Sequence, residues 1–226
     1  MKFLDLSQPL FDACPNCPAH PKVKIRTENH VAGAPDDDAN SWQIEFLDFA
    51  SHTGSHIDAP RHKLPGGATL DDLSLDIFAG RAFAADLRPL SNDAAIGREL
   101  LEICLPDDLQ DAIVLLCTGW GDKRAASQEW LHHAPFLSSG GAQFLVEKKV
   151  RGVGIDHYSI GGIGAQNPLT HQILLGAGVW IAEELRFPDE VWSLSSPLQF
   201  MALPIHLRGA SGAPCRPVLL LQEENR

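Results

Sequence analysis

The chain has 226 residues, of which 44% are hydrophobic and 21% are charged, so it can bury a core without disulfides or metals to hold it together. Asp and Glu outnumber Lys and Arg by 29 to 18, and the formal net charge of -11 opposes binding to nucleic acid or to an anionic membrane surface. These values exclude a small disulfide scaffold and a disordered chain, and they predict one domain over residues 1–226.

The predicted elements alternate between strands and helices along the chain. Residues 9–41 are rich in Pro, Asp and Asn without a sustained period, which predicts a long irregular segment. Residues 42–49 alternate apolar and polar side chains, as a half-buried strand does, whereas residues 112–117 form a continuous apolar run, typical of a strand covered on both faces. Further strands are expected at residues 150–155, 179–183 and 217–221.

Helical spacing occurs in residues 93–104, 138–147 and 168–175. The last of these has Asn167 as its expected N-cap and Pro168 at its first position. Strands mixed with helices predict an α/β fold.

Two observations bear on the compartment of the protein. The longest apolar run, from Leu174 to Ala182, is far shorter than the roughly 20 residues that span a bilayer, and the first residues lack the apolar segment of a signal peptide. The 5 cysteines are an odd number, which fits a reducing compartment, so we expect a cytoplasmic protein with no membrane partner. Cys14 and Cys17 lack the second ligand pair of a zinc ribbon, and we expect them to be loop cysteines without a role.

The densest chemical pattern lies in residues 52–62, HTGSHIDAPRH. Four of its side chains can bind metal or transfer protons, and all four stand at even positions: His52, His56, Asp58 and His62. Because side chains alternate faces in an extended chain, one extended segment would direct all four to the same side. Two imidazoles and a carboxylate suit Zn²⁺ or Mn²⁺ and leave positions open for water, which leaves His62 to act on protons.

A second group of candidate ligands consists of His171 and Glu183. In one unbroken helix they would lie about 18 Å apart, too far for one metal ion. Gly176 and Gly178 interrupt that helix, so a returning strand would let the two side chains converge, and Asp58 could then bridge a second ion. The spacing by itself leaves both arrangements open.

These residues carry a resemblance to the cyclase family of metal-dependent hydrolases, which includes kynurenine formamidases and isatin hydrolases. HTGSHIDAPRH resembles the family signature HxGTHxDxPxH. Further family motifs are similar to DLSQPL at residues 5–10, TGW at 118–120, GIDHYS at 154–159, residues 171–183 and GASGAPCR at 209–216.

The resemblance implies a swivelling β/β/α fold, a homo-oligomer (dimer or tetramer), and one or two divalent ions. The first ion would be held by His52, His56 and Asp58, and the second by His171 and Glu183 with Asp58 as the bridge. His62 matches the catalytic histidine of the family. The chain departs from the pattern at Ser55, where Thr is common, and at Gly161, where relatives carry an acidic residue near the pocket.

Hydrolysis of an amide or lactone at neutral pH requires a hydroxide nucleophile, a charge partner for the developing oxyanion and a proton for the leaving group. A metal with one histidine supplies all three. We therefore expect a hydrolase of a small amide, imide or lactone, with N-formylkynurenine as the first candidate and isatin-type or lactone substrates as alternatives. The candidate pocket residues are Trp42, Trp120, Tyr158 and Ser159. A metal-dependent lyase and a metal-binding protein without catalysis are the other hypotheses.

Overall fold

The computed structural model describes residues 2–30 and 42–221, and within them the chain forms an α/β fold, as predicted. Nine strands form one sheet: β1 (Lys2–Asp5), β4 (His56–Asp58), β5 (Ala79–Asp86), β7 (Ile113–Cys117), β9 (Gly152–Ile155), β10 (Trp180–Glu183), β11 (Leu198–Met201), β12 (Gly212–Pro214) and β13 (Val218–Leu221). Two small two-stranded sheets consist of β2 (Lys24–His30) with β3 (Trp42–Asp48), and of β6 (Ala95–Ile96) with β8 (Phe136–Leu137). The helices are α1 (Arg98–Cys104), α2 (Gln128–His132), α3 (Ser139–Glu147) and α4 (Gln166–Gly176).

The order of the large sheet is β1-β13-β11-β5-β7-β9-β10-β4-β12. The central strands β5, β7, β9 and β10 are parallel to one another, and the strands on either side pair antiparallel. Ile57 of β4, Ala213 of β12 and Leu219 of β13 belong to one hydrophobic cluster, although β12 and β13 lie towards opposite ends of the sheet. The sheet is therefore curled, with this cluster inside the curl.

Strand β7 has a continuous apolar sequence because both of its faces are buried. Ile113 and Leu115 pack into the cluster inside the curl, whereas Val114 and Leu116 pack into a second cluster on the other face. That second cluster also contains Leu101 of α1 and further side chains of α3 and α4, so the three helices cover this face of the sheet. The prediction of a strand buried on both faces is confirmed.

Several predicted elements differ in their bounds. Part of the segment predicted to be irregular is strand β2, which pairs with β3 in an antiparallel hairpin; residues 31–41 lie outside the described residues. Strand β3 exists, but all of its residues are exposed instead of half-buried; it pairs with β2 in a separate two-stranded sheet. The helix expected at residues 93–104 begins at Arg98, since Ala95–Ile96 is a strand.

Helix α4 begins at Gln166, with Ala165 as its N-cap, so the expected cap at Asn167 is wrong. Pro168 is accordingly the third residue of the helix, still within the first turn, where a missing backbone N–H costs no hydrogen bond. None of the helices in the described residues is long and apolar enough to cross a membrane.

Gly152 on β9 should be intolerant of any side chain, because a Cβ there would lie 2.1 Å from Cε2 of Trp180 on the neighbouring strand. We expect Gly152→Ala to lower the free energy of unfolding by about 1–3 kcal/mol through overpacking. Gly176→Ala is the matched control, since a Cβ at Gly176 meets nothing within 4 Å and it ends a helix. Urea unfolding of both variants measures the difference; equal stabilities would contradict this account of the β9–β10 contact.

Candidate metal centre

The candidate site is built on the short strand β4, which lies between β10 and β12. In the antiparallel pairing of β4 with β10, Glu183 stands opposite His56 and Ala182 stands opposite Ile57. Ile57 is fully buried in the core, so His56 and Asp58, which flank it, point to the opposite face. The strand therefore delivers two candidate ligands, and the register with β10 delivers a third.

The carboxylate of Asp58 is the centre of the site. Its Oδ1 lies 2.7 Å from Nδ1 of His52 and 3.4 Å from Nε2 of His56, and its Oδ2 lies 3.6 Å from Nε2 of His171. The Asp58 side chain is fully buried, and its Oδ2 has no hydrogen-bond partner. A buried carboxylate oxygen without a partner is costly, and a bound cation would remove that cost.

The two imidazoles that face Asp58 and Glu183 are held by backbone carbonyl groups. Nδ1 of His56 donates to the carbonyl oxygen of Gly54 at 2.7 Å, and Nδ1 of His171 donates to that of Asn167 at 2.9 Å. In each neutral imidazole the remaining nitrogen, Nε2, is then an acceptor directed at carboxylates: Nε2 of His56 lies 3.5 Å and Nε2 of His171 lies 3.3 Å from an oxygen of Glu183. When both imidazoles are neutral, acceptors converge on acceptors, and a bound cation would satisfy them, as in a metal site.

The electrostatics of the cluster lead to the same requirement. Burial lowers the pKa of His56 and His171, but their contacts with Asp58 and Glu183 outweigh burial, so the pKa of His56 lies well above its ordinary value and that of His171 rises to about 10. Burial raises the pKa of Asp58, yet its three histidine neighbours hold it well below its usual range. The cluster thus favours positive charge at its centre, and a divalent ion supplies such charge.

His62 lies on the solvent side of this cluster. Its ring centroid is 4.0 Å from that of His52 and 5.7 Å from that of His171. Desolvation lowers its pKa more than the charge of Asp58 raises it, and His52 lowers it further, so the imidazole is neutral near pH 7 and can accept a proton. One nitrogen of His62 also comes within 4.8 Å of ligand atoms of Asp58 and His171, a second three-residue group able to hold an ion beside that of His52, His56 and Asp58.

The four residues of the first motif meet by a different local route from the one extended segment that we expected. Only His56–Asp58 is a strand; Gly54 has a left-handed φ of +65°, and residues 60–62 form a 3-10 helix. The turn at Gly54 brings His52 back towards Asp58, and the 3-10 helix returns His62 to the same side. The prediction that even-numbered residues share one face of an extended segment therefore holds for His56 and Asp58 alone.

His171 and Glu183 converge because the chain reverses between α4 and β10. The helix ends at Gly176, Gly178 has a φ of +77°, and β10 begins at Trp180, which is one of the two arrangements that the spacing left open. The backbone N–H of Ile160 donates to Oε1 of Glu183 at 2.7 Å, which fixes the carboxylate against the loop that follows β9.

Glu184 is buried as deeply as Glu183 but pairs elsewhere. Its Oε2 accepts a hydrogen bond of 2.8 Å from Nε of Arg124, and the two side chains are only 1% and 6% exposed. Arg124 also donates to the carbonyl oxygens of Pro9 and Pro15. The pair therefore ties the N-terminal segment to the end of β10, next to the candidate ligand Glu183.

Beside the cluster is a cavity of about 480 Å³. Tyr158 and Ser159, two of the candidate pocket residues, line it. Trp120 and Trp42 do not: Trp120 is buried in a cluster with Trp130 and Tyr158, and Trp42 is 74% exposed on the β2–β3 hairpin. Trp120 thus packs in the same cluster as Tyr158, and Trp42 does not line the cavity.

Packing explains why this chain has a glycine at position 161. A Cβ at this position would lie 2.6 Å from Cα of Asn167, and Oδ1 of Asn167 accepts a hydrogen bond of 2.8 Å from Oγ of Ser159. The first turn of α4 therefore occupies the space that an acidic side chain at position 161 would need.

Several side chains of the cavity were not among the sequence-based candidates. Cys17 and His20 line it from the N-terminal segment, Lys63 follows His62, and His132 ends α2. Cys14 is buried, and its Sγ lies 3.6 Å from Nη2 of Arg124. The sequence contained no spacing signal for these positions, because the lining residues come from separate segments that only the tertiary fold brings to the cavity.

Comparison with known proteins identifies similar chains over the full length. The Cyclase family model matches residues 4–161. A kynurenine formamidase of Geobacillus thermodenitrificans is 30% identical over 220 residues, with 96% of each chain covered.

Solved structures give the same result for the fold. A structure described as a potential metal-dependent hydrolase with cyclase activity is 29% identical, covers 99% of both chains and superposes with a TM-score of 0.77. Isatin hydrolase A of Labrenzia aggregata shares the fold, with a TM-score of 0.80 at 23% identity over 98% of this chain and 94% of that chain.

The two adjacent glutamates should separate metal binding from stability. We expect Glu183→Gln to weaken metal binding, because it removes a charge that faces His56 and His171. Glu184→Gln should keep the metal but lower the free energy of unfolding by about 2 kcal/mol, since it leaves the buried guanidinium of Arg124 without its charged partner.

Elemental analysis and urea unfolding of both variants make this comparison. Full metal content in Glu183→Gln together with metal loss in Glu184→Gln would reverse the assignment of the two carboxylates.

Proposed function

The chain belongs to the cyclase family, and we propose on that premise that it is a metal-dependent hydrolase of a small amide, imide or lactone, with aryl formamides as the first substrate class. The observation that carries the proposal is the fully buried Asp58, around which two three-residue groups of candidate ligands overlap beside an open cavity. A structural metal site is closed by its protein ligands and lacks such an opening.

The residues that we propose would hold the metal are His52, His56 and Asp58, and His171 and Glu183 would hold a second ion together with Asp58. Imidazole and carboxylate donors suit Zn²⁺ and Mn²⁺, and we propose one or two such ions. When bound, the metal would supply Lewis acidity and a water molecule acidified for attack on a carbonyl group.

The contribution of His62 follows from its position and charge state. Its neutral imidazole faces both the cluster and the cavity, so it can take a proton from the attacking water and deliver one to the departing nitrogen or oxygen. The backbone contacts of His56 and His171 hold their rings in one tautomer while the proton moves at His62.

The lining of the cavity supports a partly apolar substrate. Tyr158, Ile163 and Pro18 present apolar surface beside the histidines, and kynurenine formamidase is the name of relatives at 28% and 30% identity. An N-formyl group on an aromatic amine is small enough to approach the cluster while its ring contacts this surface.

The test begins with elemental analysis of the purified protein. A panel of aryl formamides, cyclic imides and lactones is then screened with identification of the products. Release of formate from an aryl formamide supports the proposal, and a product formed without addition of water would favour the lyase hypothesis. A protein with a full metal complement that converts none of these compounds would contradict the proposed function.

We also propose a homo-oligomer. The β2–β3 hairpin exposes the apolar side chains of Trp42, Ile44 and Leu47, and a second copy is the partner that would cover them in every molecule. Sedimentation velocity of the purified protein measures this state; a monomer at micromolar concentration would contradict it.

The five unpaired cysteines support a cytoplasmic location, which fractionation of the source cells can test.

His56 and His62 should respond differently to truncation. We expect His56→Ala to lose metal and activity together, since His56 faces both Asp58 and Glu183. His62→Ala should keep the metal and lose roughly 10²-fold or more in kcat, as expected for the loss of a general acid or base.

Metal content and steady-state kinetics distinguish the two effects. Loss of metal from His62→Ala would instead make His62 a ligand in the group that it forms with Asp58 and His171.

A further inference from the structure

The cavity contains a basic group that the proposed hydrolysis does not use. Lys63 follows His62 at the end of the 3-10 helix and is one of the residues that line the cavity, together with six of the ten histidines of the chain. Within the described residues, most Lys and Arg side chains pair with a carboxylate, as Lys24 and Lys123 do. Lys63 makes no ion pair with any residue of the described ranges 2–30 and 42–221.

Negative charge at the cavity is confined to the candidate metal centre. Among the residues that line the cavity, Glu183 is the one carboxylate, and its oxygens face His56, His171 and the N–H of Ile160. The rest of the lining is apolar, polar or basic, and His20 and His132 add further imidazole donors. The cavity is thus locally basic although the protein has a net charge of -11.

Three features therefore surround the same space: a cluster for the scissile bond, apolar surface from Tyr158 and Ile163, and Lys63, whose ammonium group has no acidic partner among the described residues. An ammonium group in a half-enclosed site binds an anion through charge-assisted hydrogen bonds. We infer that Lys63 selects substrates that carry a carboxylate group in addition to the scissile bond.

This inference rests on the proposed function for its reaction, but it makes a separate statement about binding. The binding test uses the metal-loaded protein and three aromatic probes of similar size: 2-aminobenzoate, its neutral counterpart 2-aminobenzamide, and 2-aminobenzenesulfonate. Affinities come from calorimetry at low and high salt, because attraction between an ammonium group and an anion weakens as salt increases.

We expect 2-aminobenzoate to bind more tightly than 2-aminobenzamide. Lys63→Met should weaken the binding of 2-aminobenzoate about tenfold, in the range of a lost charge-assisted hydrogen bond, and Lys63→Arg should retain most of it. Lys2→Met is the matched control, since it removes the same charge from strand β1, away from this cavity. Equal metal contents show that the centre itself is intact.

Three results would overturn the inference. The first is equal affinity of the wild-type protein for the benzoate and the benzamide, and the second is unchanged benzoate binding in Lys63→Met. The third is tight binding of the sulfonate without binding of the benzoate, which would assign the site to a tetrahedral anion.

A kinetic arm separates this inference from the proposed function. N-formylanthranilate and formanilide share the scissile bond and differ in the carboxylate, so the ratio of their kcat/KM values isolates its recognition. Lys63→Met should lower that ratio about tenfold, mainly through KM. If neither compound is hydrolysed, the proposed function fails on these substrates, while the calorimetry still decides the role of Lys63.

Discussion

The buried carboxylate of Asp58 is the group on which the rest of the site depends. An ionised carboxylate without solvent is stable only if positive charge and hydrogen-bond donors surround it. Three imidazoles meet this need from separate segments: His52 from the turn before β4, His56 from the strand and His171 from α4. Because Asp58 lies on a strand with neighbours on both sides, β10 and β12 fix its backbone, and the histidines must assemble around it.

Several motifs of the cyclase family have structural roles in this chain instead of chemical ones. The hydroxyl of Ser55 donates to the carbonyl oxygen of Glu184 at 2.6 Å and accepts from the N–H of Gln8 at 2.8 Å, so Ser in place of Thr preserves a link between three segments. Asp156 accepts hydrogen bonds from the N–H and hydroxyl of Thr118, which holds the loop after β7.

The first and the last of these motifs are joined in the same way. Arg216, in the last motif, donates to Asp5, in the first, at 2.8 Å. Gly212 lies so close to His52 that a Cβ there would be 2.3 Å from Cε1 of the imidazole. Motifs more than 150 residues apart thus maintain the position of the candidate ligands, which explains why the resemblance extends along the chain although the chemistry is concentrated in a few residues.

Local sequence determined the α/β class, the doubly buried strand β7, and the placement of His56 and Asp58 on one face of a strand, because periodicity and side-chain alternation are properties of consecutive residues. It also determined that the chain must reverse near Gly178 if His171 and Glu183 are to meet. Tertiary structure decided what depends on distant segments: the return of His52 through a left-handed turn, the burial of Glu184 against Arg124, and the exposure of Trp42. It also placed Lys63 and His20 in one cavity. The spacing of residues in the sequence does not predict these features. Each of them arises from a contact between two segments, and the separation of those segments along the chain does not determine their distance in space.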